Sequence, residues 1–202
     1  MPTFGRQSAG STFVNVTRIY GGIFTCLEAG VAQSITAQIE CTVGVANIKA
    51  ALYTYPERTL VATTEEIVNF SGSVSWVTFN FPSPKPALTN RQYIIVIWGN
   101  SSNADVCFQD SVVNAKSGYT SPMAYGSWPS YLDGSYSERA QREVCIYCTY
   151  EVVVTPTHLL RIDSTPISVP VTLNSQVQGN TPISVNAQEG TYVVVVPSEG
   201  EG

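Results

Sequence analysis

The stretch Arg91-Gln-Tyr-Ile-Ile-Val-Ile-Trp-Gly99 limits what this chain can become more than any other. Its β-branched and aromatic run is too short to cross a membrane, which takes about 20 apolar residues, and too apolar for an exposed sheet edge. Entered from Pro84, Pro86 and Asn90 and left through Gly99 and Asn100, it reads as a central strand covered on both faces. Residues 47–55, ending before Pro56, and residues 74–81, ending before Pro82, have the same character. In the second, Val77, Phe79 and Phe81 alternate with Thr78 and Asn80. Together these stretches predict the core of a two-sheet β-sandwich.

The remaining segments fit around that core. Residues 13–17 and 19–27 read as strands, with a bulge or bend expected at Gly21 and Gly22. Residues 31–43 alternate, with Ile35, Ala37 and Ile39 facing in and Thr36, Gln38 and Glu40 facing out. Shorter strands are expected at 59–64, 104–109 and 144–154. Residues 1–12, rich in Gly and Ser, are expected to be extended and mobile, with Phe4 the one ring able to tuck in. Between Asp110 and Glu143 the periodicity dissolves among Gly118, Pro122, Gly126, Pro129 and Gly134, apart from a hint of a helical turn at 137–142. That stretch is longer than a passive connection, and long loops on a rigid sandwich are where function concentrates.

Thr155-Pro-Thr157 marks a linker. It divides a sandwich domain at 1–154 from a small β domain at 158–202, with short strands expected at 159–163, 169–173, 183–185 and 191–196. A unit of that size is marginal by itself. The chain as a whole reads as all-β.

Composition narrows the function classes. Hydrophobic residues make up 44% of the 202, enough for a real core, while only 12% are charged, so the surface must be built from Ser, Thr, Asn, Gln and Tyr. That favours an exterior protein. A net charge of −5 and ten basic residues scattered along the chain argue against a nucleic-acid partner. No window reaches the length of a membrane span. Met1-Pro-Thr-Phe-Gly-Arg6 lacks the apolar core of a signal peptide, so export would follow removal of one or use another route, as virion proteins do.

Five cysteines suggest oxidising surroundings, and their odd number leaves at least one thiol unpaired. Cys145 and Cys148 are spaced like a metal or redox pair, but in a strand that spacing puts their sulfurs on opposite faces. Cys41 and Cys148 both lie on apolar faces near the two ends of the sandwich, and they are the candidate disulfide. Asn15, Asn69 and Asn100 stand in glycosylation triplets. His158, the single histidine, stands at the domain joint without a recognisable Ser-His-Asp set. Asp105, Asp110, Asp133, Glu138 and Glu143 could meet near the long loop, as a carboxylate pair or around calcium, yet their spacing matches neither pattern. No catalytic residue, cofactor or metal is therefore expected. The long loop also carries Tyr119, Tyr125, Trp128, Tyr131 and Tyr136. Tyr125, Trp128 and Tyr131 form a candidate carbohydrate face, the alternative being that these rings fold the loop down onto the sandwich.

Two resemblances follow from the placed strands. The series Phe24 to Gly30, Ser34-Ile35, Ile48 to Tyr53, Leu60-Val61-Ala62, Trp76 to Phe79, Tyr93 to Val96 and Ile146-Tyr147 resembles the jelly-roll-like sandwich modules of archaeal and bacterial surface proteins over residues 4–152. Val169-Pro-Val-Thr-Leu-Asn174, Gly179-Asn-Thr-Pro-Ile183 and Glu189-Gly-Thr-Tyr-Val-Val194 resemble the PEGA domain over residues 158–197, although Pro166-Ile167-Ser168 stands near the place of its name-giving motif. The resemblances imply a jelly-roll-like sandwich with a PEGA-like domain, and a non-enzymatic extracellular building block of a cell-surface assembly or filament. The alternatives are a virion structural protein and a carbohydrate-binding or adhesion module. Self-assembly into a homo-oligomer or filament is expected through Thr191, Tyr192, Val193, Val194, Val195 and Val196. This is the most β-prone segment, able to add to an open sheet edge on a neighbour.

Overall fold

A computed structural model describes residues 1–133, 136–153, 157–162, 170–188 and 194–195, with side chains left aside at 157–159 and 186–188. The described residues contain strands, turns and loops and no helix, so the fold is all-β. Two compact units divide the chain, residues 1–153 and 154–202.

The first unit holds β1 (Thr3–Gly5), β2 (Thr12–Asn15), β3 (Tyr20–Cys26), β4 (Gly30–Thr54), β5 (Leu60–Thr63), β6 (Ile67–Asn80), β7 (Ala87–Leu88), β8 (Arg91–Gly99), β9 (Ala104–Asp110), β10 (Lys116–Tyr119), β11 (Ser137–Ala140), β12 (Arg142–Val144) and β13 (Ile146–Val152). The second holds β14 (Thr157–Ile162), β15 (Pro170–Leu173), β16 (Gln176–Asn180), β17 (Ile183–Gln188) and β18 (Val194–Val195).

The sandwich is organised by β4, expected as two strands and found as one of 25 residues. Its first half pairs with β13 on one side and β6 on the other, so that Ile35 stands opposite both Cys148 and Phe79. Its second half pairs with β8 and β5, with Ala51 opposite Val96 and Thr63. Irregular pairing with β6 between Ile39 and Ile48, and a positive φ of 72° at Gly44, carry the strand from one layer to the other. Residues 42–45 are left unpaired at this crossover, and the chain continues as one strand while the apolar faces of the two halves meet.

The second layer orders β5, β4, β8, β3, β10 and β11. β8 lies between β4 and β3 and is buried from Tyr93 to Gly99, as its run of β-branched residues requires. Its Tyr93, Ile95 and Ile97 join Ile35, Ile39, Leu52, Val106, Ile146 and Cys148 in the main core. Ile94, Val96 and Trp98 face the other way, into a second cluster with Ile19, Tyr53, Leu132 and Tyr136.

Three local expectations give way. β3 runs through Gly21 and Gly22 in regular register with β8, without a bulge. A Cβ on Gly21 would lie 2.5 Å from the Ile95 carbonyl oxygen, so close backbone approach is what demands glycine there. The N-terminus is not loose: β1 pairs with β13, Phe4 is buried against Tyr93 and Tyr150, and Arg6 meets Glu143 at 2.9 Å. Residues 137–140 and 142–144 are extended strands, not helical, because β11 pairs with β10 and β12 with β9, with a turn at Gln141, φ 59°, between them.

Candidate functional site

The long loop leaves β10 at Tyr119 and returns at β11, crossing the outer face of the second layer. It is fastened at both ends. The Thr120 amide donates to the Ile19 carbonyl at 3.1 Å, and the Leu132 amide to the Arg58 carbonyl at 2.9 Å. The Leu60 amide reaches the Ser130 carbonyl at 2.9 Å, and the Tyr53 hydroxyl donates to the Pro129 carbonyl at 2.7 Å. Tyr136 is buried, and its ring occupies the space a side chain on Gly118 would fill.

Of the candidate ligand face, Tyr125 and Trp128 are half-buried with ring centroids 5.1 and 5.4 Å from Trp98. Lys49 sits among them, its ammonium 4.5 Å from the Tyr125 ring centroid, 4.9 Å from Trp98 and 5.3 Å from Trp128, and it donates to the Gly126 carbonyl. Burial lowers the Lys49 pKa, opposed by the Glu66 carboxylate, which also accepts the Tyr125 hydroxyl. Tyr131 stands apart with 52% of its surface exposed. The loop thus spends two of its three candidate rings on covering β8 and caging a lysine of this same chain.

A polar groove of about 310 Å³ lies at the opposite edge of the same layer. Asn15, Arg18 and Tyr20 reach it from β2, β3 and the turn between them, Tyr119 from the end of β10, Arg139 from β11 and Arg142 from β12. Tyr20 and Tyr119 are cross-strand partners with centroids 5.6 Å apart. The Arg139 guanidinium donates to the Tyr119 hydroxyl at 2.6 Å and lies 4.9 Å from that ring, with Arg18 at 5.6 Å. The Arg139 hydrogen bond holds the Tyr119 pKa below the ordinary phenol value, whereas burial raises Tyr20. Arg142 is 2.7 Å from Asp110 and packs on the Phe108 ring. None of the arginines was singled out from sequence, because the three are separated by as much as the span from Arg18 to Arg142.

The cysteine pairing is corrected. Cys148 stands opposite Ile35, while Cys41 is six residues further along β4, roughly 20 Å at strand rise and far beyond disulfide reach. All five thiols are free and buried. Cys145 instead neighbours Cys107, donating its backbone amide to the Cys107 carbonyl at 2.9 Å, and burial together with the second thiol pushes its pKa up to about 12. Asn15, Asn69 and Asn100 are all exposed. The acids do not converge on one point: Asp110, Glu138 and Glu143 each hold a different arginine, Arg142, Arg58 and Arg6, while burial raises Asp105. Among the described residues no group of three His, Cys, Asp or Glu is placed to hold a metal.

In the second unit β14 pairs with β17, and β15 lies between β16 and β18. Val171 and Leu173 are its buried apolar side chains among the described residues. Gly179 and Asn180 end β16, paired with Val171 and Pro170, and Thr181-Pro182 makes the bend that leads into β17. Residues 157–200 match the family model of the PEGA domain. No curated protein matches the chain. The PEGA domain is typical of extracellular and periplasmic proteins, and no described helix is long and apolar enough to cross a membrane. His158 belongs to β14 of this domain, opposite Ala187. Of the expected assembly segment, Val194 and Val195 pair with Leu173 and Thr172 in the PEGA domain itself. Thr191, Tyr192, Val193 and Val196 lie outside the described residues.

Proposed function

We propose that this protein is a non-enzymatic building block of an extracellular, cell-surface assembly or filament, a jelly-roll-like sandwich joined to a PEGA domain. One observation carries most weight. Among the described residues β18 is an edge strand of the PEGA domain, paired on one side to β15, with Val194 and Val195 exposed at 44% and 53%. An apolar edge of this kind is a template for strand addition, in which backbone hydrogen bonds supply affinity and alternate side chains set register. Because β18 is already held within its own chain, it serves more readily as the edge that receives a neighbour's strand than as a strand given away. The low charge density and the PEGA match support an exterior setting. The way the aromatic loop is spent on β8 supports a structural role for it over a sugar-binding one.

Deletion of residues 191–202 tests the assignment. Sedimentation and electron microscopy should show the full chain forming oligomers or filaments and the shortened chain remaining monomeric and folded. Assembly by the shortened chain would overturn strand addition at this edge.

A further inference from the structure

The groove above Tyr20 and Tyr119 differs in charge from the rest of the molecule. Arg6, Arg58, Arg91 and Arg142 each meet a carboxylate. Arg18 and Arg139 have no ion pair among the described residues, although they share one groove with Arg142. Three of the chain's ten cations thus converge with Asp110 the single carboxylate paired among them, on a protein whose net charge is −5. Like charges gathered in this way repel one another, and an anion seated between them relieves that repulsion.

The guanidiniums are also held in place. Tyr119 carries Arg139 through a hydrogen bond and both arginines against its ring, and Tyr119 itself packs at a tilt of 32° on Tyr20. Stacking on a ring leaves the in-plane N–H donors of a guanidinium free, and their fork matches a carboxylate or sulfate. Around this point Asn15, Thr17 and Tyr20 contribute neutral amide and hydroxyl groups, suited to a body rich in hydroxyls. A volume of about 310 Å³ is at the small end of ligand sites, which run from about 300 to 1,000 Å³. It accommodates one or two sugar rings.

From this juxtaposition we infer that the groove between Arg18, Arg139 and Arg142 is a binding site for an acidic saccharide, a short sugar bearing a carboxylate or a sulfate. A nucleic acid is a poorer fit. Affinity for a polyanion grows with the number of phosphates neutralised, and outside the groove the surface is net negative. The site goes beyond the assembly role, since its residues all lie in the first unit and deletion of residues 191–202 leaves them in place.

The test is titration calorimetry on the full chain produced without glycosylation, against a trigalacturonate, a sulfated chondroitin disaccharide, neutral maltotriose and inorganic sulfate. At least one of the two acidic sugars should bind, tenfold or more tighter than maltotriose and inorganic sulfate, and weaken as salt rises. The double substitution Arg18→Gln, at a half-buried position, with Arg139→Gln, at an exposed one, should reduce that binding at least tenfold with an unchanged melting temperature, while Trp128→Ala leaves it intact. If the double variant melts lower, the single variants Arg18→Lys and Arg139→Lys, which keep the charge but lose the fork, should still weaken binding. Absence of binding by both acidic sugars, equal binding of maltotriose or sulfate, or indifference to the arginine substitutions would overturn the assignment.

Discussion

Along β8, Ile95 and Ile97 point into side chains from β4, β9 and β13 that are almost all aliphatic, whereas Ile94, Val96 and Trp98 point at Tyr53, Leu132, Tyr136 and the half-buried Trp128. The first face is covered by another layer of the sandwich, whose backbone groups are already paired in ladders. The second is covered in part by a loop, which must bring its own polar groups into the cover. Three buried atoms there have no hydrogen-bond partner among the described residues: Trp98 Nε1, Trp128 Nε1 and the Tyr136 hydroxyl. Each such atom costs about 1–3 kcal/mol. Two faces of one strand, equally dry, are therefore unequal in stability, and the loop-covered one should open first.

The largest effect that could break this comparison belongs to the inner face. Ile95→Ala leaves a cavity between the layers and should destabilise the first unit by about 2–5 kcal/mol in urea unfolding. Trp128→Ala, on the half-buried outer cover, should cost less, about 1–3 kcal/mol, and expose residues 120–133 to protease before the sandwich unfolds. If Trp128→Ala costs more than Ile95→Ala, the two covers have been ranked the wrong way round.

Alkaline titration separates the faces chemically. Burial raises Cys148 on the inner face above the ordinary thiol value of 9, and raises Tyr53 and Tyr136 on the outer face above the ordinary phenol value of 10. For an acid raised by folding, the unfolded chain releases its proton first. Its contribution is thus complete below the unfolded value and is lost as pH climbs beyond it. Urea midpoints should fall above pH 9 and more steeply above pH 10. Tyr53→Phe should reduce the loss above pH 10 and spare the loss between 9 and 10.

The smallest expected effect is at Lys49. Lys49→Met removes the cation from among Trp98, Tyr125 and Trp128 but keeps an apolar stem, and because burial works against that charge it should raise stability slightly, by at most about 0.5–1 kcal/mol, in thermal melting at pH 7. Since burial lowers its pKa, folding favours the neutral amine and the unfolded chain holds the proton more tightly. The wild-type lysine's unfavourable contribution should therefore shrink as pH rises from its folded pKa towards the ordinary value of 10.5.

What the sequence determined alone is the local periodicity and its consequences. The Tyr93 to Trp98 run already requires burial on both faces, the alternation at Ile35, Ala37 and Ile39 already places a sheet face, and the absence of a 3.6-residue period already makes the chain all-β. The stretches at 169–174, 179–183 and 189–194 together already resemble the PEGA domain, whose family model matches residues 157–200. Tertiary structure decided everything that depends on which strand lies beside which. It separated Cys41 from Cys148 and put Cys107 next to Cys145, and it gave Gly21 its reason in the Ile95 carbonyl. It turned Trp128 and Tyr125 onto Trp98 and Lys49, and gathered Arg18, Arg139 and Arg142 around Tyr119. The physical reason is range: side-chain alternation is set by neighbours along the chain, while charge clusters and ring cages arise from non-local strand pairing, whose register leaves no mark on the residues in between.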